Sequence, residues 1–465
     1  MKRILIGNGA GFGGDNLDAP RLLAEHSELD YLTLEFLAEL TLSVLAYQKS
    51  RNPQAGYVSD VPVVIRSLCN ALRSQPKLKI ITNGGGMNPV SCVRQVAKIL
   101  AEHELGDCRI AACDGDDLLS RLDELIELGE SFVNLETGEP LGEKKSIVAS
   151  ANAYLGGAGI VQALQEDARM VITGRIADAS LLVGPAIHEF GWKFDDWQRL
   201  GKATVAGHLI ECGAQVTGGM FSNWRANSHV SLNGVGYPIA ELDENGDCWI
   251  TKPDGSDGVV DCETVAEQLV YEIGDPRAYL TPDVEADFSQ VTLQQTAQDR
   301  VRVTGGTGTA APERYKVSLA YHDGFAVSGM IVFCGPRAVE NARAGAEMIR
   351  QRMRSAGFEL DRFHAEVLGA GDTFLGPSDQ RAELTKCRPW EVVLRVAAHD
   401  ARREAVDRLA REIAPLVTSG PPGVTGYTGS RPKSHPVLAF WPTTIRREHL
   451  QHVVAVKTAK EWLDG

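Results

Sequence analysis

Long apolar runs are what this sequence most plainly lacks. None reaches the roughly 18 residues that a membrane-spanning helix requires, so a helical membrane anchor is not expected. An apolar leader with a small-residue cleavage site is missing as well, since Lys2 to Ile6 already read as a strand, and a cytoplasmic protein is the expectation. Clustered positive charge is scarce: 47 Lys and Arg face 61 Asp and Glu, for a formal charge of −14. Nucleic-acid binding needs convergent cations to displace counterions, so that class is set aside. The nine cysteines are odd in number and include no Cys-x-x-Cys pair. They read as free thiols in a reducing compartment rather than as a disulfide framework. No His-x-x-x-His pair accompanies them, so no metal site is expected. A phosphate loop of the Gly-x-x-x-x-Gly-Lys-Ser/Thr form and a Gly-x-Ser-x-Gly nucleophile elbow are also absent, which removes the simple ATPase and serine-hydrolase readings.

What is present is a chain of 465 residues with an ordinary hydrophobic fraction of 43%. That length exceeds what one core usually supports, and two domains are expected. Short apolar runs alternate with helical patterns over the first part of the chain: Arg3 to Ile6, Tyr31 to Leu34, Leu78 to Thr82, Arg109 to Cys113, Ser146 to Ser150 and Met170 to Thr173. Alternation of this kind predicts an α/β domain, a parallel sheet with flanking helices, over residues 1–195. Asn88-Pro89 supplies an N-cap and a first-turn proline for one of its helices. Residues 196–465 read as an α+β second domain. In it, Asp323-Gly324 between two apolar runs predicts a hairpin over 315–333, and spacing of three and four predicts helices near 338–355 and 402–415.

Ligands of an open parallel sheet bind at the carboxyl ends of its strands, where loop amides and helix N-termini converge. Those ends are rich in Asn and Gly: Asn8 with Gly9 and Gly11, Asn83 with Gly84 and Gly85, and Asn152 with Gly156 and Gly157. Glycines admit a ligand to the backbone and amide side chains donate to its oxygens, so these nine residues are candidate ligand contacts. Gly9-x-Gly11-x-x-Gly14, with Glu35 about twenty residues on, imitates a dinucleotide fingerprint. The helix is delayed to about Asp18 or Pro20, however, and Asp15 sets a negative charge where a pyrophosphate would lie. A nicotinamide-dependent dehydrogenase is therefore the third choice. Glu35, Arg175 and Asp178 are the catalytic candidates: Arg175 as a clamp for a carboxylate or phosphate, Asp178 one helical turn on as its orienter or a base, and Glu35 as a general base. The alternative for Arg175 and Asp178 is an ordinary i,i+3 ion pair. Gly207 to Gly219 gathers His208, Glu211, Cys212, Gln215 and Thr217 and suits a site loop, although sequence places no base against Cys212.

Several ordered segments carry a resemblance. They are the start ending in Gly14-Asp15-Asn16, Asp30 to Thr41, Asn83-Gly84-Gly85-Gly86-Met87-Asn88-Pro89, Thr173 to Gly184, Ala206 to Gly219, Gly236-Tyr237-Pro238-Ile239-Ala240-Glu241 and Tyr271-Glu272-Ile273-Gly274-Asp275-Pro276. Together they resemble the acyclic terpene utilisation protein AtuA family, over about residues 3 to 450. The resemblance implies a place in catabolism of branched or terpene-like acids through CoA thioesters, and it assigns no catalytic residue. Longer members resemble this chain followed by a small ferredoxin-like domain; if that domain is needed, a separate small ferredoxin-like subunit is the expected partner. The expectation is an enzyme for a CoA-linked or free branched carboxylic acid, performing a hydratase, lyase or hydrolase step as a homo-oligomer. CoA enters only as part of the substrate, with no other cofactor. The alternative is a non-catalytic scaffold subunit of an acyl-CoA pathway.

Overall fold

A computed structural model describes residues 2–224, 231–373, 389–427 and 430–464. The chain divides into two compact units, one comprising residues up to Ala320 together with those from Phe440 onward, the other Tyr321–Ala439.

In the first unit, β1 (Arg3–Asn8), β2 (Tyr31–Leu34), β3 (Lys79–Thr82), β4 (Arg109–Asp114) and, after β5 (Val148–Ala153), β6 (Met170–Thr173) carry the parallel pattern. They lie in the order β1-β2-β3-β6-β4 with parallel pairing throughout. Neighbouring residues of one strand serve opposite faces: Ile80, Ala112 and Ile172 enter one core, Ile81, Ala111 and Val171 the other. Burial on both faces explains why these strands read as unbroken apolar runs. Helices α1 (Ala19–Glu25), α2 (Glu39–Arg51), α3 (Asp60–Ser74), α4 (Pro89–Glu102), α5 (Leu122–Glu127), α6 (Ala158–Gln165), α7 (Ser180–Phe190), α8 (Trp197–Glu211) and α9 (Cys262–Val270) complete the unit. The first core takes Leu23, Leu68 and Val96 from α1, α3 and α4; the second takes Ile160, Val183, Leu209 and Val265 from α6 to α9. Asn88 caps α4 by accepting from the Ser91 amide, with Pro89 next, as its sequence predicts.

The expected boundary at residue 195 falls inside this unit. β7 (Ile239–Asp243) and β8 (Cys248–Thr251) continue the sheet antiparallel from β1. Beyond β9 (Tyr279–Leu280) and β10 (Glu285–Asp287), β11 (Thr292–Ala297) and β12 (Arg300–Thr304) extend that edge. β13 (Thr307–Thr309) joins β10 and β9 in a separate small sheet. The Ser146 to Ser150 run forms β5, which pairs not with the parallel sheet but with β14 (Arg314–Cys334).

β14 replaces the expected hairpin over 315–333. A two-residue type I′ turn needs positive φ at both central residues, and only Gly324 has it, at 73°. Phe325 to Cys334 pair instead with Asp400 to Glu391, a partner far along the chain. In the second unit, β15 (Arg362–Leu368), β16 (Glu391–Asp400) and β17 (Val424–Tyr427) stand in the order β15-β16-β14-β17, all antiparallel. With helices Ala338–Ser355 and Arg403–Glu412 between strands, the order βαββαβ is the split βαβ arrangement. Those helices answer to the predicted 338–355 and 402–415; Ala342, Ile349, Val406 and Leu409 pack on Ile331, Phe333, Leu394 and Val396. β18 (His435–Arg446), β19 (Val453–Thr458) and a short helix, Ala459–Asp464, end the chain, β19 pairing antiparallel with β4.

No helix among the described residues is long and apolar enough to cross a membrane. The eight cysteines among them are all free, and Cys387 lies outside them.

Candidate functional site

The glycine-rich start folds back on itself. The Gly11 amide donates to Asp15 Oδ2 (2.9 Å) and the Gly14 amide to Asp60 Oδ2 (2.8 Å), so these donors are held by internal carboxylates. Asp15 also accepts from the Tyr237 hydroxyl at 2.6 Å. Helix α1 begins only at Ala19, beyond the glycines, with Pro20 in its first turn and the Ala19 amide already donating to the Asn16 carbonyl. This arrangement works against the dinucleotide reading, which needs a helix N-terminus and free amides at that place.

The three Asn-Gly strand ends are structural joints. Asn8 is buried; its amide donates to the carbonyls of Ala10, Ile210 and Glu211, and its oxygen accepts from Thr33. It thereby clamps the open carbonyls at the C-terminal end of α8 to the tip of β1. Asn83 accepts from the Phe36 amide and donates to Glu35 Oε1 at 2.7 Å. Asn152 donates to Asp116 Oδ2 at 2.7 Å, and Asp116 also accepts from the Arg175 amide. Gly84 and Gly85 allow close approach: a Cβ there would lie 2.3 Å from Val61 Cγ2 and 2.5 Å from the Thr173 carbonyl oxygen, respectively. Gly9 abuts Pro20, Gly156 abuts Asp283, and the Gly157 amide donates to that same carboxylate. None of Asn8, Gly9, Asn83, Gly84, Gly85, Asn152, Gly156 and Gly157 lines the cleft described next; Gly11 does.

That cleft comprises two adjoining cavities of 590 and 490 Å³ that share Asp178, Glu211 and Glu272. Arg175, His208, Tyr154, Tyr279, Arg314 and Lys316 line the first. Glu35, Asp15, Cys212 and Tyr237 line the second. Glu35, Arg175 and Asp178 thus come together as the sequence predicts. The Arg175 side chain is 1% exposed; its Nη2 donates to Asp178 Oδ1 at 2.5 Å and its Nη1 lies 4.0 Å from Glu35 Oε1. Nη1 also donates to the Leu37 carbonyl, and the guanidinium stands 4.1 Å from the centre of the Tyr154 ring. Asp178, one turn on, keeps its side chain 34% exposed and is the accessible one of the two carboxylates. Burial and the neighbouring Asp178 charge push Glu35 well above the usual carboxylate range, against the opposing pull of Arg175.

His208 and Glu211 belong to the Gly207 to Gly219 segment that reads as a site loop, although the sequence assigns neither a role, and Glu272 joins them from outside it. His208 and Glu211 are an i,i+3 pair on α8, with Nδ1 2.9 Å from Oε1, and His208 Nε2 lies 2.9 Å from the Gln268 carbonyl. Both ring nitrogens therefore face acceptors, a geometry that fits either an imidazolium beside a carboxylate or a neutral ring accepting from protonated Glu211. Burial pushes Glu211 up to about 6, with the His208 charge pulling the other way. Burial lowers His208, but Glu211 more than offsets it and the ring stays above its ordinary value. Glu211 Oε2 is buried and meets no hydrogen-bond donor, which accounts for the preference for a proton. Burial and the Glu211 charge push the Cys212 thiol up to about 12, which disfavours the thiolate that a nucleophilic cysteine needs. The signal that could have revealed Glu211 is the His-x-x-Glu spacing inside the Gly207 to Gly219 segment.

With the cleft in view, the comparison with family models decides the kinship: the acyclic terpene utilisation family protein AtuA model matches residues 4–456. The chain belongs to the AtuA family. A search of curated proteins and of solved structures finds no match to this AtuA-family chain. The family ties the protein to acyclic terpene utilisation.

Asp116, beneath the cleft of this AtuA-family protein, yields a pH prediction. Burial and the charge of Asp114 push it up to about 7, from about 3.9 in an unfolded chain. Folding therefore takes up a proton between those values. The stabilisation is complete below about pH 4 and is lost as pH rises through 7. Asp116→Asn is expected to flatten the fall in unfolding free energy between pH 5 and 7, by up to about 1.4 kcal/mol per pH unit. Urea titrations at each pH measure it; an unaltered slope would refute the assignment.

Proposed function

We propose that this protein is an enzyme acting on a small carboxylic acid or its acyl-CoA thioester, by proton removal and return of the hydratase or lyase kind. The carrying observation is the meeting of Asp178, Glu211 and Glu272 at the junction of two cavities, with Glu211 titrating at about 6. Carboxyls in different surroundings, Asp178 open to solvent and Glu211 largely buried, are suited to dividing the labour of base and acid. Asp178, accessible and oriented by the buried Arg175, is suited to removing a proton beside a carbonyl. Glu211, recharged through His208, is suited to delivering one to a departing hydroxyl. Arg175 is a positioning residue, while Lys316, which shares the Tyr154 ring with it, offers positive charge to an anionic substrate. Family membership supports substrates of acyclic terpene breakdown. The internal carboxylates at Gly11 and Gly14 disfavour the nicotinamide alternative.

The test is a panel of hydroxyacyl and enoyl thioesters and free acids, with products followed by mass spectrometry. Asp178→Asn and Glu211→Gln are expected to lose about 10²- to 10⁴-fold in kcat while their melting temperatures stay near that of the parent protein. Wild-type rates in both variants, or failure of every acid and thioester to bind, would sink the proposal.

A further inference from the structure

The second unit has a cavity of its own, 570 Å³ in volume, bordered by Arg403, Asp407, Arg411, Arg431, Lys433 and Ser434. We propose that it is a binding site for a small molecule carrying two separated phosphate groups. Four cations and a single carboxylate border it, in a chain whose formal charge is −14. Asp407 is already engaged: it accepts from the Ser434 hydroxyl and lies 3.7 Å from Arg403 Nε. Arg411, Arg431 and Lys433 form no ion pair with any described residue. One carboxylate does not balance four cations, and an anion in the cavity relieves the repulsion among the other three.

The geometry selects the anion. Arg403 and Arg411 lie on one face of helix Arg403–Glu412, eight residues apart, which is about 12 Å along the axis. Arg431 and Lys433 face them from a neighbouring segment, at most about 7 Å apart. That segment is seated on β14, where a Cβ at Gly329 would come within 2.5 Å of Pro432, so the wall is set against the sheet. A lone phosphate reaches one end of such an array; two phosphates held apart engage both. Arginine forks suit phosphate oxygens, two at a time.

Calorimetric titration of the full chain tests this, using adenosine bisphosphate with a phosphate on each side of the ribose, linear tripolyphosphate and orthophosphate. The two polyanions are expected to bind saturably and more tightly than orthophosphate, with affinity falling as salt is added. Arg411→Ala with Arg431→Ala is expected to weaken that binding at least about tenfold. Tighter binding of the bisphosphate assigns the site to a nucleotide, and tighter binding of tripolyphosphate assigns it to inorganic polyphosphate. No saturable binding of either, equal affinity for orthophosphate, or unchanged affinity in the double variant overturns the proposal.

Discussion

Arg175→Leu is expected to destabilise the first unit by about 3–5 kcal/mol at pH 8, the usual penalty for removing one partner of a buried ion pair. Leucine fills much of the space but leaves the Leu37 carbonyl without its donor and Asp178 and Glu35 without their cation. The penalty is expected to shrink on acidification. The Arg175 charge holds the Glu35 pKa down, so without it Glu35 binds its proton more readily still. Once neutral, Glu35 no longer needs a cation, and the deficit at pH 5 is smaller than at pH 8. Arg175→Lys restores charge but neither the planar fork nor the stacking on Tyr154, and is expected to recover only part of the loss. Urea unfolding midpoints at the two pH values measure both effects. A loss independent of pH, or full rescue by lysine, would contradict this account.

Gly201→Ala is expected to destabilise the same unit by about 3 kcal/mol, at the upper end of overpacking costs. Gly201 lies within α8, and a Cβ there would stand 2.2 Å from the Thr307 carbonyl oxygen and 2.7 Å from the Gly308 amide nitrogen. Gly308 is equally confined, its Cβ position 2.3 Å from the Trp197 carbonyl oxygen. The atoms in the way are backbone on both sides, so no rotamer change relieves the contact. Alanine is the better helix former by about 1 kcal/mol, and the clash outweighs that gain. Thermal unfolding decides between them: a variant as stable as the parent would show that β13 can move away.

The parallel strands were legible because burial on both faces turns each into an apolar run ending in a polar residue, as at Leu34-Glu35 and Thr82-Asn83. Asn88-Pro89 announced α4 for a purely local reason. The hairpin over 315–333 failed for the opposite reason: Asp323-Gly324 signals a turn, while the strand that captures Phe325 to Cys334 begins some sixty residues later. β7, β8, β11 and β12 were likewise hidden, since their membership in the sheet depends on a chain of pairings that starts from β7 on β1 rather than on their own pattern. At the cleft, Glu35, Arg175 and Asp178 could be read from strand-end positions. The asparagine amides are engaged within the protein, Asn8 with the carbonyls of Ile210 and Glu211, Asn83 with Glu35 and Asn152 with Asp116, partnerships that only the tertiary fold brings about. Glu211 and Glu272 reach the same junction from the end of α8 and from beyond α9, a meeting that only the tertiary fold brings about.

The carboxylates of Asp15 and Asp60 give the glycine-rich loop a resident anion of its own. A wall of the cleft is therefore held in place by the protein's own groups, without a ligand. In the enzyme proposed above, binding energy would not be diverted to ordering that loop.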